Sequence, residues 1–318
     1  MTAIKVTLLR DDLSFGARIC GVTREVLDDP ATRNLINEVF EDRGLIVFEN
    51  VEPTGTMHVA LSNVFGPLKE HPNPAVPRVD RDALPGVIDM HAKAGEAGII
   101  ELGGRRLSHW LPWHFDHCYN DQLNRAGVLR AIEIAPDGGL TGFADGLRLY
   151  EALSPALRDR IEGRNIVYKF DVLYENMRFG KPKGFVEISR KPNSLAVMQA
   201  AKQMPRAIHP AVWTRKSGEK VLHVSPWMAQ GIEGQENEAG DELLEAVCQQ
   251  INENAQAYYH KWNLTDMLIW DNWRMLHSVT GMDPRYSRRM QRTTIRGDYG
   301  LGHFENNGKG GAILQMTV

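Results

Sequence analysis

From residue 126 onward the chain is a succession of short apolar runs separated by turn signals, and this constrains its fold more than any other feature. Segments 127–134, 141–144, 166–168, 212–215, 221–224, 267–270 and 291–296 all read as strands. Two helices interrupt them, at 146–162 and at 240–257. The second starts from Asp241 and carries Leu243, Leu244, Val247 and Ile251 at helical spacing. The earlier part reads as a strand within 15–24, then a helix opened by Asp28-Asp29-Pro30 and closed at Arg43-Gly44. The strand Leu45-Ile46-Val47-Phe48 follows, then a helix at 54–65 that ends near Gly66-Pro67. Residues 68–110 hold prolines, glycines and little periodicity. Such a stretch in a compact domain reads as a functional loop or lid. The pattern predicts a mainly β protein with flanking helices (α+β), built as a double-sheet sandwich or jelly roll. A single domain over 1–318 is expected, with 68–112 as an active-site loop or lid. A doubly wound nucleotide-binding fold is disfavoured, because no GxGxxG follows the first strand and no P-loop is present.

Bulk properties remove several function classes. The formal charge of −3 gives no basic field for nucleic acid or an anionic membrane. No run of about 18 apolar residues occurs, so no membrane span is expected. Cys20, Cys118 and Cys248 are far apart and form no CxxC pair, which argues against a disulfide framework and against structural zinc. The N-terminus lacks the basic-then-apolar pattern of a signal peptide. A cytoplasmic protein with a small-molecule substrate is the expectation.

The chemistry gathers at two places. In His114-Phe115-Asp116, an imidazole and a carboxylate two residues apart share a face of a strand. With a distant histidine they make a 2-His-1-carboxylate triad, which suits iron(II) and leaves positions open. A lone HxD among eleven histidines carries little weight, and a hydrogen-bonded surface pair explains it equally well. The second place is Trp270-Asp271-Asn272, then His277, then Arg288 and Arg292. The turn signal Gly281-Met282-Asp283-Pro284 suits a strand, a turn and a returning strand. Arg288 and Arg292 then share a face, and a guanidinium there binds a carboxylate bidentately. A dicarboxylate co-substrate, chelating the metal at one end, needs such a partner at the other. Taken singly, His277 is a core histidine and Arg288 a solvated charge in a basic region. The ordered set is what points to a site.

With these motifs in place, the chain resembles the taurine dioxygenase and 2,4-dichlorophenoxyacetate dioxygenase family. The resemblance covers most of the chain, from residue 15 to Asp298. It rests on Gly44-Leu45-Ile46-Val47-Phe48, Phe65-Gly66-Pro67-Leu68, Trp113-His114-Phe115-Asp116, the run Gly138 to Asp145, Tyr150-Glu151-Ala152-Leu153-Ser154, Trp270-Asp271-Asn272, His277, and Arg288 to Asp298. It implies a double-stranded β-helix (jelly roll) and iron(II) held by His114, Asp116 and His277. It also implies 2-oxoglutarate held by Arg288 and Thr141, with O2 as the other co-substrate. Arg292 is implied to contact an anionic group of the substrate or to support the 2-oxoglutarate site. His71 matches a position that helps bind a sulfonate. Dimers or tetramers are implied as well. The chain departs from small-substrate members over 73–112 and at His117-Cys118-Tyr119, where Cys118 reads as packing. Trp110, Trp113, Tyr119 and Trp227 line an apolar pocket on one reading and belong to the core on another. The expected substrate is a small to medium organic carboxylate, sulfonate or sulfate with a sizeable apolar body, hydroxylated or cleaved at C–O or C–S. The competing readings are a zinc hydrolase on the same ligands and a non-catalytic jelly-roll binding protein.

Overall fold

The first long helix begins where proline and aspartate dictate. Pro30 occupies its first turn, and the Asp29 carboxylate accepts the Thr32 backbone N–H at 2.9 Å. Helix Pro30–Arg43 ends at Gly44, whose φ of +70° is the left-handed cap that glycine adopts without strain. The structure is a computed structural model that describes residues 4–70 and 76–308.

Strand Leu45–Glu49, buried along almost its whole length, enters an eight-stranded sheet. The order across that sheet is Lys5–Leu8, Ala17–Cys20, Leu45–Glu49, Met267–Asp271, Ala126–Glu133, Arg288–Ile295, Leu84–Ala92, Arg78–Asp80. A six-stranded sheet runs Val186–Ser189, Ile99–Leu102, Arg105–His114, Met275–Met282, Thr141–Asp145, Tyr258–His260. The two sheets meet in one apolar layer. Phe143 and Met275 from the smaller sheet pack with Leu129, Leu268, Trp270 and Met290 from the larger. The far face of the larger sheet carries Ile46, Phe48, Val128 and Ile269. It is covered by Ile36 and Phe40 of the first helix and by Met57 and Leu61 of helix Gly55–Ser62. A four-stranded sheet and the amphipathic helix Glu238–Asn254 build a further core against Phe115 and Leu276. The protein is thus mostly β with packed helices.

Four local expectations are corrected. The stretch 68–110 is not irregular: its described part forms strands Arg78–Asp80, Leu84–Ala92, Ile99–Leu102 and Arg105–His114. Its glycines sit mainly at the connections, and backbone pairing holds strands whose side-chain pattern is weak. The helix at 146–162 is two helices, Gly146–Ala152 and Pro155–Ile161, because Ser154 caps the second and Pro155 occupies its first turn. The helix expected from Asp241 starts a turn earlier, at Glu238, capped by Asn237. Finally, strands Met275–Met282 and Arg288–Ile295 are not a hairpin, since they belong to different sheets. The connection 283–287 carries the chain from one sheet to the other, and His277 and Arg288 line the same cavity.

Candidate metal centre and anion pocket

His114 ends strand Arg105–His114, and its Cα pairs in register with His277 on the neighbouring strand. The two imidazole centroids lie 4.0 Å apart. Asp116 follows two residues past the strand end, and one ligand atom from each of His114, Asp116 and His277 falls within 4.8 Å of the others. All three residues are buried. His114 donates from Nδ1 to the Pro112 carbonyl at 2.8 Å, which leaves Nε2 free to ligate. His277 turns Nε2 toward Asp116, 3.8 Å from its Oδ1.

Electrostatics prepare the same set. Burial holds both imidazoles below their ordinary range and therefore neutral. Burial alone would raise Asp116, but the Arg292 guanidinium holds the carboxyl well below the usual carboxylate range. Arg292 Nη1 donates to both Asp116 oxygens at 2.8 Å. Two neutral imidazoles and one charged carboxylate, converging in a buried pocket, are a donor set that fits a divalent transition-metal ion.

A cavity of about 450 Å³ opens on this cluster and is lined by His114, Thr141, His277, Arg288 and Arg292, among others. Arg288 and Arg292 share the inner face of strand Arg288–Ile295. Arg288 is largely buried, which pushes its guanidinium down to about 10. No carboxylate lies within ion-pair distance of it among the described residues. Its one side-chain bond runs from Nη2 to Thr141 Oγ1 at 3.2 Å, and Trp262 Nε1 donates to the same oxygen at 3.1 Å. With both lone pairs of that oxygen engaged, the Thr141 hydroxyl proton is left to donate. A guanidinium and a hydroxyl donor side by side, without an internal anion, are an arrangement that suits a carboxylate.

A second cavity of about 160 Å³ lies on the other side of the cluster, lined by His114, Asp116, Tyr119, Phe170, Trp227 and Arg292, among others. Tyr119 packs edge-on against Phe170 at 4.8 Å, and Trp227 stands edge-on to His114 at 5.1 Å. Trp227 Nε1 is buried with no hydrogen-bond partner among the described residues. Arg292 lines both cavities.

The structure therefore brings together His114, Asp116, His277, Thr141, Arg288, Arg292 and Tyr119. It does not bring Trp110, which is buried with Tyr174 and Phe185 and lines neither cavity. A bulge explains this: Trp110 and His114 are an even number apart, but the pairing with the His277 strand shifts between Leu111 and His114, so alternation does not carry from one to the other. Trp113 packs against Tyr259 and the core. Cys118 is buried, and burial pushes its thiol far up, in keeping with packing. His71 lies outside the described residues. Trp262, Phe170 and Val172 carried no signal in the sequence, since each stands in a connection far from any motif.

Residues 6–294 match the profile of the taurine catabolism dioxygenase TauD, TfdA family. The chain belongs to that family. It is similar to the (S)-phenoxypropionate/alpha-ketoglutarate-dioxygenase of Sphingobium herbicidovorans, 26% identical with 90% of this chain and 93% of the relative covered. It is 25% identical to the alpha-ketoglutarate-dependent 2,4-dichlorophenoxyacetate dioxygenase of Cupriavidus pinatubonensis, covering 86% of this chain and 92% of that one. A solved taurine dioxygenase from Burkholderia xenovorans superposes with a TM-score of 0.69 at 25% identity, over 93% of this chain and 90% of that chain. This family member is a 2-oxoglutarate-dependent dioxygenase. No helix among the described residues is long and apolar enough to cross a membrane.

Proposed function

We propose that the chain, folded as a double-stranded β-helix, oxidises a C–H bond of a small organic anion, with iron(II) held by His114, Asp116 and His277 and with 2-oxoglutarate and O2 as co-substrates. The observation that carries the reading is the pairing of the triad with Arg288 and Thr141 in one cavity. Iron, when bound, supplies the oxidising chemistry, and the co-substrate leaves as succinate and CO2. Arg288 and the Thr141 hydroxyl bind the far carboxylate of 2-oxoglutarate, fixing which end reaches the metal. Arg292 faces both cavities, so it orients an anionic group of the substrate or of the co-substrate. Tyr119, Phe170 and Trp227 receive an apolar body, and Trp227 Nε1 offers a directed donor. The buried walls exclude water from the reacting carbon.

The substrate class that fits is a carboxylate, sulfonate or sulfate with a compact apolar body, giving hydroxylation or C–O or C–S cleavage. Segment 68–112 serves as a cover of the larger cavity, and Val76 and Pro77 on its wall support this. His71 is assigned to binding the anionic group of the substrate, on the family resemblance alone. The working form is a homodimer or tetramer. Succinate release across a panel of such acids tests the assignment: aryl and alkyl acids of compact size should couple, and equal coupling of taurine and bulky acids would reject the aromatic chamber. Zinc hydrolysis on the same ligands is separated by anaerobic addition of iron(II) and 2-oxoglutarate, which gives a visible absorption band only in the dioxygenase.

A further inference from the structure

Asp116 lies beyond the end of strand Arg105–His114, where no neighbouring strand pairs with its backbone. Its N–H nevertheless donates to Asn272 Oδ1 at 2.8 Å, and its carbonyl accepts from Asn272 Nδ2 at 3.1 Å. A side-chain amide has the same donor and acceptor as a peptide, so Asn272 continues the ladder by one residue where the strand has stopped. The same Nδ2 also faces Asn124, at 3.2 Å from both its carbonyl and its Oδ1.

Asn272 is itself held on its main chain. Its N–H donates to the Arg125 carbonyl at 3.0 Å. Its carbonyl accepts from His223 Nε2 at 2.9 Å. The His223 ring stacks on Phe115, the residue between the two ligands, with centroids 3.8 Å apart and planes 17° apart. Asn272 and His223 are wholly buried. His223 thus touches the ligand segment by its face and the residue that clamps it by its edge.

We propose that Asn272 is a positioning residue that sets the direction of the Asp116 carboxylate, and that His223 anchors it. The proposal rests on His114, Asp116 and His277 being the metal ligands. Asn272 touches neither substrate nor metal; it acts through the Asp116 backbone. Aspartate cannot replace it, because the second carboxylate oxygen would face the carbonyls of Asp116 and Asn124 that Nδ2 now serves.

Mn(II) binding to the full chain, followed by the spin-resonance signal of the free ion, tests this without turnover. Asn272→Ala and Asn272→Asp should each weaken Mn(II) by about 10–100-fold, the range for residues that orient a ligand. At saturating Mn(II), 2-oxoglutarate affinity should stay within about threefold, since Arg288 and Thr141 are set by other contacts. His223→Gln keeps a donor at the Nε2 position and should retain most of the affinity. His223→Phe keeps the stack, loses the donor and should not. Wild-type affinity in a cooperatively melting Asn272→Ala chain overturns the proposal. So does an equal fall in 2-oxoglutarate affinity, or failure of both Asn272 variants to fold, since either marks a merely structural role. A wild-type chain that binds no Mn(II) overturns the metal assignment itself, a result distinct from the others.

Discussion

Arg288→Met should make the protein more stable and less able to bind 2-oxoglutarate. Burial pushes the Arg288 guanidinium from 12.5 to about 10, which at about 1.4 kcal/mol per pH unit puts the cost of keeping it charged and unpaired on the order of 3 kcal/mol. Methionine fills similar space without charge. It forfeits the bond to Thr141, worth about 1 kcal/mol. The net gain is on the order of 2 kcal/mol. Unfolding entropy of about 2.1 cal/mol/K per residue over 318 residues converts this to a rise in Tm of about 3 °C. In the proposed assignment the same change removes a paired, charge-assisted contact to the co-substrate, about 1.5–3 kcal/mol per bond, so affinity should fall by about two to three orders of magnitude. Thermal melting of the metal-free chain, with calorimetric titration of 2-oxoglutarate into the Mn(II)-loaded chain, reads both. A lower Tm, or 2-oxoglutarate affinity close to wild type, would show that Arg288 is a structural cation and not an anion site waiting for its ligand.

Three further outcomes are expected. Trp262→Phe removes the donor to Thr141 Oγ1 and frees the hydroxyl to rotate, so 2-oxoglutarate should bind about three- to tenfold more weakly with metal affinity unchanged; an unchanged titration refutes the hydroxyl argument. Gly127→Ala would place a Cβ 2.6 Å from the Trp270 indole, whose ring lies 4.9 Å from that of His277; a loss of about 1–3 kcal/mol in urea unfolding, with weaker Mn(II) binding, is expected. Stability should also fall with acid. Burial pushes His58 and His223 down to about 3 and His209 down to about 4. The unfolded chain takes up these protons below about 6.5 while the folded chain does not, so the contribution is complete above that pH and is lost as pH falls toward 4. Each histidine should add up to about 1.4 kcal/mol per pH unit to the slope, and urea midpoints that coincide at pH 7.5 and 5.5 would contradict it.

The strands and the first helix were legible because their signals are local. Asp29 and Pro30 mark a helix start by geometry alone, and Leu45 to Phe48 is a buried run bounded by turns. The HxD pair was legible for the same reason, and its clustering with His277 and Arg288 through their order along the chain. What was not legible depends on partners distant in sequence. Strands Leu84–Ala92 and Arg105–His114 lie in a stretch of weak periodicity and form because Arg288–Ile295 and Met275–Met282 offer them edges. Trp110 was misplaced because the strand pairing shifts between Leu111 and His114, which breaks the alternation on which a two-residue spacing relies. Trp262 reaches Thr141 across 121 residues of sequence, and nothing in a one-dimensional pattern records such a contact.

The charge arrangement explains why two arginines stand on one strand face. Arg292 already satisfies Asp116, so the triad carboxylate does not depend on a metal ion to remain charged in a buried place. A divalent ion in the triad would leave the two guanidiniums and the ion opposed by one carboxylate, three positive charges in excess. Dianionic 2-oxoglutarate offsets two of them, at the metal and at Arg288. One positive charge then remains, and Arg292 is placed on the wall shared by both cavities to present it. A monoanionic substrate closes the balance within a pocket of low dielectric, where an uncompensated charge is costly. In the proposed assignment the preference for an anion thus follows from the metal and the co-substrate, and the aromatic walls around Tyr119, Phe170 and Trp227 choose which anion fits.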